Sequence, residues 1–232
     1  MSIEAPADVL TLEQFRRLRG VLLSFVREYK GNQVHTPTLI DDTWQNIWEA
    51  IGKSVGHQYQ VSSCDRTTKE LAQLRREDRT VLLLPDDIYT QEGLMRLGRV
   101  FRLMRSWITK PEGVVEILNG SMQGGCIDIE ISPDAPYRSP RGYNQDEITQ
   151  QIEGDKRFGQ RLPTYLVASQ FSYLLTGQNF DQNTWSLLPG SSWRNTKRGL
   201  GANFDSNGRV FVSDWNPQGR HPRLGGRSEG RI

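Results

Sequence analysis

At Lys110-Pro111-Glu112-Gly113 the hydrophobic period of the chain changes, and no other feature constrains the fold as strongly. Upstream, apolar residues recur at the spacing that gathers them on one helix face. Leu12, Phe15, Leu18, Leu22, Phe25, Val26 and Tyr29 form such a stripe, opened by a Thr11/Gln14 capping box and stopped by Gly31-Asn32. Trp44, Ile47, Trp48 and Ile51 mark a second helix, expected to start at Asp41/Asp42, where acids suit the helix dipole. Residues 80–84 read as a buried strand, and Thr90 caps a third helix with Leu94, Leu97, Phe101, Met104 and Trp107/Ile108 inward. Downstream the pattern shortens. Residues 114–118 and 126–131 read as strands, and 145–153 and 166–175 as short helices. Beyond Gly177, only residues 209–213 carry a convincing strand pattern. The expected class is α+β, with a helix-rich region over residues 1–110 and a second domain over 111–232 that has little regular structure near the C-terminus.

With 36% hydrophobic and 24% charged residues and a net charge of +2, wholesale disorder and collagen-like repeats are excluded. No apolar run approaches the ~18 residues of a membrane-spanning helix. Residues 1–8 lack a basic stretch followed by an apolar one, so no signal peptide is expected, and the placement expected is the cytoplasm or a virion. The two cysteines, Cys64 and Cys126, make no disulfide framework and read as buried, idle thiols in a reducing compartment. His35, His57 and His221 lack metal-ligand spacing, and neither a metal nor another cofactor is expected. Phosphate-binding loops, dinucleotide fingerprints and nucleophile elbows are absent.

Asp128 and Glu130 share a strand face, and Asp86 and Asp87 sit at another strand end. Such carboxylates suit Mg²⁺ in phosphodiester hydrolysis. Alternating apolar and acidic residues also describe any half-exposed strand, and that reading is preferred. Residues 191–232 hold eight Arg or Lys and three acids, with Trp193, Phe204, Phe211 and Trp215 among them. Basic residues between aromatics suit single-stranded nucleic acid, but a protein- or glycan-binding surface anchored by Trp and Arg is preferred, and a loop-rich domain that binds nothing would show the same mixture.

The run Gly159-Gln160-Arg161-Leu162-Pro163-Thr164, followed by a helix and Trp185, resembles a segment of the formylglycine-generating-enzyme family, a branch of the C-type-lectin-like fold. There an Arg-Leu-Pro-Thr turn opens a helix, which implies that Pro163 fixes the turn and that the Thr164 hydroxyl caps the helix. Gly208-Arg209-Val210, Asp214-Trp215-Asn216-Pro217 and Leu224-Gly225-Gly226-Arg227-Ser228 look like that fold's closing strand, Trp loop and final Gly-Arg strand. The likeness covers roughly residues 140–232 and implies a C-type-lectin-like domain over 111–232. The enzymes of the family use cysteines in their C-terminal part. No cysteine follows Cys126 here, so oxidation of a sulfatase cysteine is disfavoured. Trp215-Asn216-Pro217 matches only half of a calcium lectin's Trp-Asn-Asp.

What remains is the non-enzymatic branch, which includes the variable proteins of diversity-generating retroelements and phage receptor-binding tropism determinants. The resemblance implies a ligand-binding module for a protein or cell-surface glycan, with homo-oligomerisation as a route to avidity. Its contacts are expected at Arg194, Asn195, Asn203, Asp205, Asn207, Asp214, Asn216, Arg220, His221 and Arg223, with Trp193 and Trp215 as either core or anchor. One alternative is a virion or other assembly subunit with an Arg-rich docking tail. Another is a metal-dependent nucleic-acid enzyme using Asp86, Asp128 and Glu130.

Overall fold

A computed structural model describes residues 10–100, 115–116, 123–193, 198–205, 208 and 210–230. Helices α1 (Leu12–Gly31), α2 (Pro37–Val55) and α3 (Thr68–Arg76) lead into β1 (Arg79–Leu84), a 3-10 turn at Asp86–Tyr89 and α4 (Gln91–Val100). There follow β2 (Val115–Glu116), β3 (Gly125–Glu130), β4 (Tyr137–Arg138), α5 (Gln145–Gly154), β5 (Phe158–Gly159) and α6 (Leu162–Thr176). The chain ends in β6 (Trp185–Trp193), β7 (Gly199–Phe204), β8 (Val210–Trp215), β9 (Leu224–Gly226) and β10 (Ser228–Gly230). The architecture is α+β with a helix-rich N-terminal part. Among the described residues, no helix is long and apolar enough to cross a membrane.

Two sheets form. The first has the order β1-β3-β10-β5; the second runs β4-β9-β6-β7-β8, with β2 also paired to β6. Arg79 stands opposite Glu130 and Leu84 opposite Gly125, so one sheet joins residues from both sides of position 110. Only Arg227 separates β9 from β10, and at that residue the chain crosses from the second sheet to the first. The crossing is tight: a Cβ on Gly226 would collide with Ile148 of α5, and one on Gly230 with the Asp128 carboxylate.

The main core gathers α1, α2, β1, β3, α6 and the inner faces of β7 and β8. β1 is an edge strand, and α2 covers its free carbonyls. Trp44 donates its indole N–H to the Val81 carbonyl at 3.1 Å, and Trp48 donates to Leu83 at 2.7 Å. The match is geometric, because four residues of helix rise about 6 Å and two residues of strand about 6.6 Å. A smaller cluster packs Ile148 and Ile152 of α5 on Leu187 and Leu224, with Trp185 and Trp215 at its margin.

Several local expectations need correction. α2 begins at Pro37 behind an N-cap at Thr36, so Asp41 lies inside the helix, where its carboxylate accepts the Cys64 N–H at 2.6 Å. α6 begins at Leu162, four residues before the expected start, and Thr164 does not cap it. Thr164 is buried, its hydroxyl 2.9 Å from that of Tyr89, and the Ser191 hydroxyl accepts the Leu162 N–H instead. The C-terminal part also holds more strand than its composition suggested. β6, β7, β9 and β10 are rich in Gly and Ser, so they show no alternation and exist through their pairing partners. The α1 capping box is present on both sides. Residues 101–110 of the expected third helix lie outside the described residues.

Candidate functional site

The frame beneath the C-terminal strands is a set of buried ion pairs. Arg161, wholly buried at the N-cap of α6, donates through Nε to Glu229 at 2.7 Å, and its backbone N–H reaches the same carboxylate at 3.2 Å. The guanidinium also donates to the Gln123 carbonyl and the Tyr89 hydroxyl, each at 2.9 Å, and lies 3.8 Å over the Tyr89 ring. Glu229 therefore neutralises Arg161 and places an anion at a helix N-terminus, where the dipole favours one.

Arg227 forks onto Asp181, with Nε to Oδ2 and Nη2 to Oδ1 both at 3.0 Å, and stacks 3.8 Å over Phe180. Asp181 also accepts from Tyr165, Thr184 and Ser186, so its charge is shared among five donors. Burial of the Tyr165 phenol, and after it the Asp181 charge, holds it well above the usual range. Arg157 joins Asp128 (2.7 Å) to Ser228 (2.7 Å), and Arg66 holds the other Asp128 oxygen at 2.8 Å. Asp128 is thus 3% exposed, which corrects the reading of a half-exposed strand face.

Of the residues expected as contacts, Asn203 lies on β7, Asp214 and Trp215 on β8, and Asn216, Arg220, His221 and Arg223 in the loop after β8. Arg194, Asn195 and Asn207 lie outside the described residues, and Trp193 is described through its backbone, which pairs with Val115. Asn203 stands opposite Phe211 and Gly201 opposite Ser213. By strand alternation Asn203, Phe211, Ser213 and Trp215 share one face, turned away from the main core. Phe211 is 40% exposed, and the Asn203 side-chain oxygen has no hydrogen-bond partner. Asp214 pairs with Arg198 across the strands, and Asp205 is half-buried. Trp215 is half-buried and donates its indole N–H to Gly219 at 3.2 Å, which makes it part core and part surface.

Arg220 fastens the loop to α5, donating to Glu147 at 2.6 Å and to the Gly142 carbonyl at 3.2 Å. This guanidinium, with the Asn144 N–H, holds the Glu147 carboxyl below the usual range. The Gln145 N–H takes the Pro217 carbonyl at 3.1 Å, and Gly142, at φ +73°, leaves no room for a Cβ beside His221. Asn216, His221 and Arg223 remain exposed.

The carboxylates weighed for metal catalysis are dispersed. Asp86 accepts the Gly124 N–H at 2.7 Å at one end of β3, and Glu130 lies at the other end, six residues or about 20 Å away. Asp128, between them, is held by two guanidinium groups. Among the described residues, no group of three His, Cys, Asp or Glu side chains is placed to hold a metal ion.

A second polar cluster, unmarked by any motif, brings together His57, Tyr59, Asp87 and Arg96. His57 Nε2 contacts Asp87 Oδ2, Arg96 lies 3.6 Å from the same oxygen, and the His57 and Tyr59 rings are 4.6 Å apart. The Tyr59 hydroxyl and Asp87 Oδ1 are buried without hydrogen-bond partners. Burial, and after it the Asp87 charge, pushes the Tyr59 phenol up to about 12. Below pH 10 this phenol is neutral in both folded and unfolded chains, and its contribution to stability is complete. Above that, the unfolded chain ionises first, so stability falls between pH 10 and 12 by at most ~3 kcal/mol. Tyr59→Phe should remove that part of the alkaline loss, and at pH 7 it should be neutral or gain about 1 kcal/mol from deleting an unpaired hydroxyl. Urea midpoints measured from pH 7 to 11.5 check both parts, and a marked loss at pH 7 would refute them.

Comparison of the chain with protein-family models, curated proteins and solved structures finds no match.

Proposed function

We propose that this chain is a non-enzymatic binding module of the C-type-lectin-like, formylglycine-generating-enzyme type, in the manner of the variable proteins of diversity-generating retroelements. Its contact surface is the outer face of β7 and β8 with the loop 216–223, and its ligand is a protein or glycan displayed on a surface. The observation that supports this is a contrast within one segment. Arg161, Asp181, Arg227 and Glu229 are buried and paired beneath the strands, whereas Phe211, Ser213, Asn216, His221 and Arg223 are exposed above them. A surface whose residues change needs such a division, because the frame then folds whatever the surface displays. The docking-tail alternative is less well supported, since Arg227 is spent inside the chain and residues 224–230 pair within its own sheets. The nucleic-acid enzyme is less well supported because its three carboxylates stand apart.

Single substitutions at Phe211, Ser213, Asn216, His221 and Arg223 are expected to change stability by no more than about 0.5 kcal/mol each. Thermal melts of a small variant set check this, and losses above about 2 kcal/mol at most of these positions would sink the display reading. Sequencing the locus in sibling isolates tests the role itself. Substitutions clustered between codons 193 and 228, beside a near-copy of that segment and a reverse transcriptase gene, support a diversified binder. An invariant segment with no template copy overturns it.

A further inference from the structure

We propose that Cys64 and Cys126 are a redox-active dithiol that closes to a disulfide within the folded chain when it meets an oxidising disulfide. They are the only cysteines in the sequence and lie 62 positions apart, yet their sulfurs are 3.7 Å from each other and both residues are buried. A disulfide needs about 2.05 Å between sulfurs, so closure asks for a movement of under about 2 Å. The side able to make it is the strap between α2 and α3, which has no regular structure from His57 to Arg66. Cys126 lies inside β3, paired opposite Leu83.

The chemistry assigns an order to the two thiols. Burial pushes both upward, Cys126 the more strongly: Asp65 adds to the rise at both, whereas the Arg66 N–H and the Cys126 thiol offset part of it at Cys64, which lies on the strap and not inside a strand. The Cys64 thiolate therefore attacks an external disulfide R–S–S–R, forming a mixed disulfide and releasing one thiolate RS⁻. The Cys126 thiolate then attacks the Cys64 sulfur, forming the internal bond and releasing the second RS⁻. Two thiol hydrogens leave the protein and two RSH are made, so the external disulfide is reduced as the pair is oxidised.

The bond would act on more than the strap. Cys126 and Asp128 share a face of β3, and the strap runs along that face, with Cys64 on Cys126 and Arg66 on Asp128. Asp128 is held in turn by Arg157, which also holds Ser228 of β10. Closure therefore pins the strap to the sheet that carries the C-terminal strand.

The test uses the full chain, folded, at pH 8 with millimolar oxidised glutathione, followed by intact mass and non-reducing peptide mapping. The expected result is a loss of about 2 Da, a peptide linking Cys64 to Cys126, and an upward shift in Tm of about 5–15 °C that a reductant reverses. Cys126→Ser is expected to accumulate one glutathione on Cys64, and Cys64→Ser none on Cys126. Two free thiols after prolonged exposure, glutathione on both cysteines, or only intermolecular dimers would each overturn the proposal. The wild-type mass decides the matter even if a serine variant does not fold.

Discussion

Asp181→Ala is expected to lower stability by about 3–5 kcal/mol, the cost of breaking a buried ion pair from one side. The residue is fully buried, and its two oxygens accept from Arg227 twice and from Tyr165, Thr184 and Ser186 once each. Alanine would strand the Arg227 guanidinium without its counter-charge and leave three hydroxyl groups without that acceptor. It would also hold a φ of +54°, which Asp tolerates better than Ala. For a chain of this length the loss corresponds to a fall in Tm of about 6–20 °C. Removing both charges in Asp181→Leu/Arg227→Met should cost less than Asp181→Ala alone, because no charge is then buried unpaired. Urea unfolding of the two variants and the wild type provides the comparison. If Asp181→Ala costs under about 1 kcal/mol, the pair does not hold the crossing between the sheets.

Arg161→Met should be of similar size, about 3–5 kcal/mol, and Arg161→Lys should recover little of it. Methionine fills the space of the stem but gives up the bonds to Glu229, Gln123 and Tyr89 and leaves Glu229 buried without the guanidinium. Lysine restores a charge without the planar fork that reaches three partners and stacks on Tyr89. Glu229→Gln should cost less than Arg161→Met without being neutral, since its one amide oxygen can accept from only one of the Arg161 N–H and Nε while its NH₂ faces the other donor. Hydrogen exchange gives a local readout: Arg161→Met should release the amides of β10 and the first turn of α6 before those of α2. Equal protection in Arg161→Met and wild type would show that Arg161 does not fasten the C-terminal strand.

Elements set by local interactions could be read from the residues alone. The α1 stripe with its Thr11/Gln14 box and the Thr90 cap of α4 depend on neighbours within four positions, and they are present, with Leu12 alone of the stripe exposed; the apolar runs of β1 and β3 are strands as well, completed by pairing with each other. The α+β class followed from the change of period near Lys110. The crowding of polar and aromatic residues toward the C-terminus was equally visible, although which of them face outward was not.

Tertiary structure decided what sequence spacing does not encode. α6 starts at Leu162 because Ser191 of β6 and Glu229 of β10 accept the N–H groups of Leu162 and of the N-cap Arg161. β7 and β9 form because partners supply the pairing that their glycines cannot specify. Arg161 and Glu229 lie 68 positions apart, Arg227 and Asp181 46, and Cys64 and Cys126 62. In the sequence a buried arginine is indistinguishable from a solvated one, since burial depends on whether the fold brings an opposite charge to it. Periodicity records which face of an element is apolar. Only the assembled sheets determine which distant charges leave water together.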